Sequence, residues 1–306
     1  MKGSIVLFFL LLIAISSQAQ NKQVCFTIDD MPLVTYGISD TVYQKGLMDK
    51  LITGLTANKI PAMGFVNEIK LYKNGTLNPF QVQLLKSWLD AGLELGNHTF
   101  SHLDYNSLSA VDFFREIIKG ERVTKELMRK AGKELMYFRH PFLHAGNSKA
   151  RSDSLNQFLA EHGYTVAPVT IDDEDYMFAA AYKKAHDKND AKLMKQIGTD
   201  YINYMEQKIL YFERQSIALF GRHIKQVLLI HASALNSDYI DALAKLFIRL
   251  NYNFISLQSA LEDEAYKTPI TVYGNWGISW IDRWALSQGK KGDFFKGDPE
   301  IPSYVR

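Results

Sequence analysis

From Val24 onward the 306-residue chain alternates short apolar runs with longer stretches of helical period, and this alternation restricts its fold more than any other feature. Short apolar strands, each followed by an amphipathic helix, make a parallel sheet wrapped by helices. Val24 to Ile28 is the first such run, entering Asp29-Asp30-Met31-Pro32, where Pro32 should stop it. Thr41 to Leu55 reads as a helix and Ala62 to Val66 as the next strand. Asn78-Pro79, a cap followed by a first-turn proline, opens a helix to Ala91. Leu93 to Gly96 is a strand leading into Asn97-His98. Ser109 should cap one long helix to about Arg129, with Val111, Phe114, Ile117 and Ile118 on its apolar face. Tyr137-Phe138 ends a strand at Arg139, Ser152 to His162 is helical, and Thr165 to Ile171 is a strand. Gln226 to Ile230 is a very apolar strand ending at His231; Tyr239 to Leu250 is a helix and Phe254 to Leu257 the last strand.

Asp29, His98, Arg139, Asp172 and His231 each follow the C-terminal end of a predicted strand. In α/β barrels those ends share one face, where active sites form, so residues scattered in sequence should converge. Two regions fit less well. Met177 to Lys225 is too long for an ordinary connection and reads as an inserted helical pair that covers an edge or shapes the groove. The C-terminal extension, 265–306, carries Trp276, Trp280 and Trp284 at four-residue spacing. They are expected to pack as one helical face on the barrel, a sugar-stacking platform being the alternative.

At the N-terminus, Lys2, the apolar run from Ile5 to Ile15 and Ser17-Gln18-Ala19 have the form of a signal peptide, 1–19, cleaved after Ala19. The run is about half the roughly 20 residues that a bilayer span needs, so no stable membrane span is expected after its removal. The expected product is a single catalytic domain, 20–306, exported to the periplasm or the cell exterior. Cys25 is the only cysteine, which leaves stability to a core that 47% hydrophobic residues can supply. A formal net charge of +2 gives no electrostatic footprint for nucleic acid.

His98-Thr99-Phe100-Ser101-His102 sets two imidazoles four residues apart. On a helical turn they would face the same way and could bind one divalent ion. Asp29-Asp30 offers an acidic third ligand. Two adjacent carboxylates after an apolar strand are costly unless a cation and an arginine neutralise them, the bland alternative being a capping turn. Arg139 can hold a carboxylate in fixed geometry. Of the acids in Asp172-Asp173-Glu174-Asp175-Tyr176, Asp173 and Glu174 should face solvent. His231 emerges from a buried strand, and an acidic partner such as Asp175 would tune it toward general-acid work.

The ordered set Thr27-Ile28-Asp29-Asp30, His98-x-x-x-His102, Arg139-x-Pro141-Phe142, Asp172-x-x-Asp175-Tyr176 and Leu229-x-His231 resembles the five motifs of polysaccharide deacetylases, carbohydrate esterase family 4. The match spans roughly Val24 to Ser259. The resemblance implies an α/β fold, a distorted (β/α) barrel with fewer than eight units. It also implies one divalent metal, zinc foremost, with cobalt, nickel or manganese as alternatives. Asp30, His98 and His102 would be its ligands and Asp29 the general base oriented by Arg139. Phe142 would face the oxyanion through its backbone N–H, with Pro141 supporting, and Leu229 would line the acetyl-methyl pocket. His231 would be the general acid, poised by Asp175, with Asp172 supporting Arg139. Phe142 stands where the family has tyrosine, and Tyr176, on one wall of the sugar groove, where it has tryptophan.

The expected activity is removal of N-acetyl groups from an N-acetylglucosamine-containing glycan: peptidoglycan, a chitin oligomer or a related substrate. Two other readings stand beside it. The same metal site could act on a small amide, a formamide or an O-acetyl ester, which the insertion and Tyr176 motivate. Alternatively, the chain is an inactive carbohydrate-binding protein on this scaffold, against which every charged catalytic position is filled.

Overall fold

The computed structural model describes residues 22–306, so the expected signal segment lies outside the described residues. The strands are β1 (Lys22–Val34), β2 (Met63–Val66), β3 (Tyr72–Lys73), β4 (Thr76–Leu77), β5 (Glu94–Asn97), β6 (Tyr137–Phe138), β7 (Thr165–Val166), β8 (Gln226–Ser233) and β9 (Tyr252–Phe254). The helices are α1 (Thr41–Ala57), α2 (Pro79–Asp90), α3 (Ala110–Lys119), α4 (Arg122–Lys130), α5 (Lys149–Glu161), α6 (Asp175–Asp187), α7 (Ala191–Phe220), α8 (Ala234–Arg249), α9 (Leu257–Leu261) and α10 (Trp280–Ser287). The main sheet is parallel in the order β7-β6-β5-β2-β1-β8, with β9 beside the start of β1; β3 and β4 form a separate small hairpin. Beyond β7 the chain reaches the other end of this order. The backbone N–H groups of Thr170 and Ile171 donate to Val227 O at 2.9 and 3.0 Å, and that of Leu229 donates to Ile171 O at 3.2 Å. These bonds curl the sheet into the expected distorted barrel, and its neighbouring strands β1 and β8 are mostly buried.

β1 does not stop at Pro32. It runs on to Val34, pairing with β2 at Met31 and with β8 at Val34, after register shifts on both sides. The ladder is irregular there, so the missing proline N–H breaks no regular pairing. In a regular strand Asp29 and Asp30 would point to opposite faces. The irregularity, with Asp30 at φ 65°, brings both to one cavity.

The long helix expected from Ser109 breaks at Gly120 into α3 and α4. Its buried side is Phe113 and Ile117, whereas Val111 is exposed and Phe114 stacks on Phe158. A Cβ on Gly120 would sit 2.4 Å from Thr99 C and 2.5 Å from Phe100 N, so the break is where helix backbone meets the loop carrying His98 and His102. Between residues 177 and 225, α6 and α7 pack on one another and on α8. Tyr201, Met205, Ile209 and Phe212 of α7 are buried in the main core. Of the three spaced tryptophans, Trp280 and Trp284 are buried on α10, while Trp276 lies ahead of that helix and is partly exposed.

Gly120→Ala adds one methyl group against backbone atoms that cannot rotate away. It should cost about 1–3 kcal/mol of stability, as overpacking does. Urea denaturation of the variant and parent measures it, and an unchanged midpoint would show that the loop has slack.

Candidate metal centre and active site

The loop after β5 is not the helical turn expected for His98 and His102. It is irregular, with Thr99 at φ 68° and His102 at φ 56°. Side chains and helix ends hold it. Asn97 Oδ1 accepts from Thr99 N–H at 2.7 Å, Asn67 Nδ2 donates to His98 O at 2.6 Å, and Glu116 O and Oε2 accept from the N–H groups of Phe100 and Ser101. The two imidazoles still meet, with ring centroids 4.8 Å apart.

Asp30, His98 and His102 each turn one ligand atom into a common space, all within 4.8 Å of one another. Asp30 Oδ1 lies 4.0 Å from His98 Nε2 and 3.8 Å from His102 Nε2. Ligands about 2.1 Å from a tetrahedral ion stand roughly 3.4 Å apart, so a small contraction would close the set on one ion. Three further observations fit a cation. Asp30 Oδ1 is buried without a hydrogen-bond partner. His98 Nδ1 lies 2.8 Å from Arg139 O; donating there fixes the tautomer that leaves Nε2 with a free lone pair. Burial pushes both histidines down to about 4, so each is neutral at pH 7. Burial alone would raise Asp30, but Lys70 and the histidines hold it well below the usual carboxylate range. Lys70 Nζ donates to Asp30 O at 2.6 Å and stands 3.7 Å from Oδ2.

Asp29 is buried beside this set, its Oδ2 3.7 Å from His98 Nε2. Arg139 Nη1 donates to both its oxygens at 3.3 and 3.2 Å. Burial raises the Asp29 carboxyl above its ordinary value against the pull of Arg139, which makes it the stronger base of the two aspartates. The other nitrogens of Arg139 donate to Thr27 Oγ1 and Ala167 O, both at 2.8 Å. Asp172, expected to support Arg139, makes none of these bonds. It acts on Arg139 only through its charge, which favours the guanidinium, and burial raises Asp172 itself to about 6.

His231 pairs with Asp29 across β1 and β8; Asp175 Oδ1 lies 2.6 Å from its Nδ1, and Asp175 Oδ2 accepts from its backbone N–H at 2.7 Å. Asn236 Nδ2 donates to the same Oδ2 at 2.6 Å, and its Oδ1 accepts from Tyr201 Oη at 2.7 Å. Burial disfavours the charged ring, but the Asp175 carboxylate outweighs it and lifts His231 to about 10.

These groups share a cavity of about 660 Å³, whose walls include Leu229, Phe142, Tyr176 and Tyr36. Phe142, at φ 55°, packs edge-on against His102 with ring centroids 4.5 Å apart. The tail presses on this turn: a Cβ on Gly277 would fall 1.9 Å from Phe142 O, and the buried Arg283 donates to Leu143 O at 2.8 Å.

The family model described as polysaccharide deacetylase matches residues 16–167, which include the metal set, Asp29, Arg139 and Phe142. The chain belongs to the polysaccharide deacetylase family. A mutant of a carbohydrate esterase family 4 pseudoenzyme from Bacillus anthracis, with restored enzymatic activity, aligns at TM-score 0.52 and 15% identity over 79% of this chain and 68% of its own. A peptidoglycan N-acetylglucosamine deacetylase in complex with an N-oxidanyl-benzamide aligns at TM-score 0.51 and 17% identity over 78% of this chain and 88% of its own. These likenesses extend the family's fold beyond residue 167. No curated protein sequence matches the chain.

Several residues that line this cavity or hold its lining carry no signal in the sequence. Lys70, Asn236 and Tyr36 belong to no spaced motif, and Gly277 looks like any loop glycine. Asp173, expected in solvent, is 5% exposed and lines the cavity.

The folded His231 ring binds its proton more tightly than the unfolded ring, near 6.5. The Asp175 pair therefore stabilises the fold fully below about pH 6.5, and this contribution is lost as pH rises through about 10. In Asp175→Asn the His231 pKa should fall toward its ordinary value. NMR titration of metal-free protein reads it, and a value still near 10 would remove Asp175 as the cause.

Proposed function

We propose that the protein is an exported, divalent-metal-dependent deacetylase that releases acetate from N-acetylglucosamine units of a glycan such as peptidoglycan or a chitin oligomer. The observation that carries this reading is one cavity holding a cation-ready Asp30–His98–His102 set, a separate buried base, Asp29, and a charged imidazole, His231. Export is the reading of the N-terminal 19 residues, on their apolar run and small-residue end.

Asp30, His98 and His102 would hold the ion. A divalent cation, zinc foremost, supplies Lewis acidity there, polarising an amide carbonyl and making water acidic enough to attack near neutral pH. Asp29 accepts the proton of the attacking water, its affinity for that proton raised by burial and its orientation set by Arg139. His231 then gives its Nε2 proton to the departing amine, while Asp175, held by Asn236, keeps the ring oriented through Nδ1. The Phe142 backbone N–H would face the developing oxyanion, and Leu229 would receive the acetyl methyl. The reaction ends with acetate, a free amine, and both protonation states reset from solvent.

A shorter substrate, such as a terminal sugar or a small amide or ester, is favoured by one feature. Tyr36 Oη donates to Tyr176 O at 3.1 Å and ties the loop after β1 to the start of α6 at the cavity wall.

Asp30→Ala and His98→Ala should lose bound metal and acetate release together. Asp29→Asn should retain metal while losing roughly 10²–10⁴-fold in kcat, the usual worth of a general base. Elemental analysis beside acetate release from chitotriose separates the two classes. Full turnover by Asp30→Ala in chelator-treated buffer would contradict the mechanism.

A further inference from the structure

Two buried groups that line the cavity carry polar atoms without a hydrogen-bond partner among the described residues. Asp173 Oδ1 accepts the Asp175 backbone N–H at 2.9 Å, but its Oδ2 has no hydrogen-bond partner. His140 is 1% exposed, and neither ring nitrogen is bonded. Its aromatic neighbours are Phe138 and Trp280, and burial pushes it down to about 3, so the ring is neutral. A buried polar atom left unpaired costs free energy, and sites that bind hydroxyls leave such atoms for the ligand to satisfy.

The charges around these two groups restrict what can satisfy them. Asp172 and Glu174 flank Asp173 on the same wall, and no lysine or arginine lines the cavity among the described residues. The nearby cations are already engaged: Lys208 with Asp298 at 2.7 Å, Lys70 with Asp30, Arg139 with Asp29, His231 with Asp175 at 2.6 Å, and Arg283, close to both His140 and Asp172, with the carbonyls of Leu143 and Trp276. Neither Asp172 nor Glu174 has a cation at ion-pair distance among the described residues, so this wall keeps an excess of carboxylates.

We propose that Asp172, Asp173, Glu174 and His140 form a subsite for the hydroxyls of an uncharged sugar unit, and that this wall discriminates against a sugar bearing a carboxylate. The proposal rests on the deacetylase reading of the cavity and narrows its substrate class to neutral glycans. A hydroxyl both donates and accepts, so it pairs with imidazole in either tautomer. It pairs with Asp173 whether that carboxyl is ionised or protonated, and burial raises its pKa, followed by the neighbouring Asp175. A carboxylate only accepts. It can pair with Asp173 only when that carboxyl is protonated, and in either state of Asp173 it meets the like charges of Asp172 and Glu174.

Two matched disaccharides test this, both N-acetylglucosamine linked to N-acetylmuramic acid, one with a free lactyl carboxylate and one with that group as its methylamide. Calorimetric titration of the purified protein should give a dissociation constant about tenfold lower for the methylamide, as like-charge rejection predicts. Glu174→Gln and Asp172→Asn should each narrow that gap. Asp173→Leu should weaken binding of chitobiose, and Asp173→Asn, which keeps a polar atom at each oxygen position, should restore most of it. Equal affinity of the two disaccharides for the parent protein, or no binding of either, would overturn the subsite. Acetate release measured alongside separates the two readings: selective binding without release leaves the subsite standing and removes the deacetylase, while release without selectivity does the reverse.

Discussion

The site depends on one buried cation, the guanidinium of Arg139. It donates to Asp29 and Thr27 of β1 and to Ala167 beyond β7, while its own carbonyl lies at hydrogen-bond distance from His98 Nδ1 in the loop after β5. One residue, through its side chain and its carbonyl, thus fixes the orientation of Asp29, the tautomer of His98 and the spacing of three strand ends. A buried charge is tolerated only when it is paired and its donors are used. The planar fork of arginine meets that condition at separate partners, which a lysine ammonium cannot do in the same geometry. Its face also lies over the Phe65 ring, 4.7 Å from the centroid.

Backbone strain gathers around the same cavity. Asp30, Thr99, His102, Phe142 and Leu143 all have φ between 54° and 68°, although none is glycine. Each such residue costs about 1–3 kcal/mol and persists only where its surroundings over-determine it. Here the surroundings are visible: Lys70 on Asp30 O, Asn97 and Glu116 on the histidine loop, and Arg283 on Leu143 O. The strain aims side chains that regular strands and turns would send elsewhere. The tail belongs to this support, since the Trp280 N–H donates to Val169 O at 2.7 Å and Ser279 Oγ donates to Thr170 O at 3.0 Å.

The barrel was legible in the sequence because its strands are apolar on both faces and its helices carry clear caps; Asn78 and Ser109 both cap where expected. The pairing of His98 with His102 and the grouping of both with Asp30 were legible from residue type and strand-end position. Their backbone was not, because four-residue spacing suggests a helical turn and nothing local announces two positive φ angles. Pro32 misled for a related reason: proline marks strand ends only where the ladder is regular. The break at Gly120 follows from contact with Thr99 and Phe100, a tertiary fact that helical period cannot carry. Asn236 and Lys70 gain their significance from neighbours 61 and 40 residues away, and only folding supplies those neighbours.

The central claim is that Asp30, His98 and His102 hold one divalent ion at the mouth of this barrel. Anomalous diffraction at the zinc edge, from crystals grown with the metal, locates that ion without reference to activity. The account predicts one strong peak within about 2.2 Å of Asp30 Oδ1, His98 Nε2 and His102 Nε2. A peak held by other residues, or density showing the three side chains turned apart with zinc present, would contradict it.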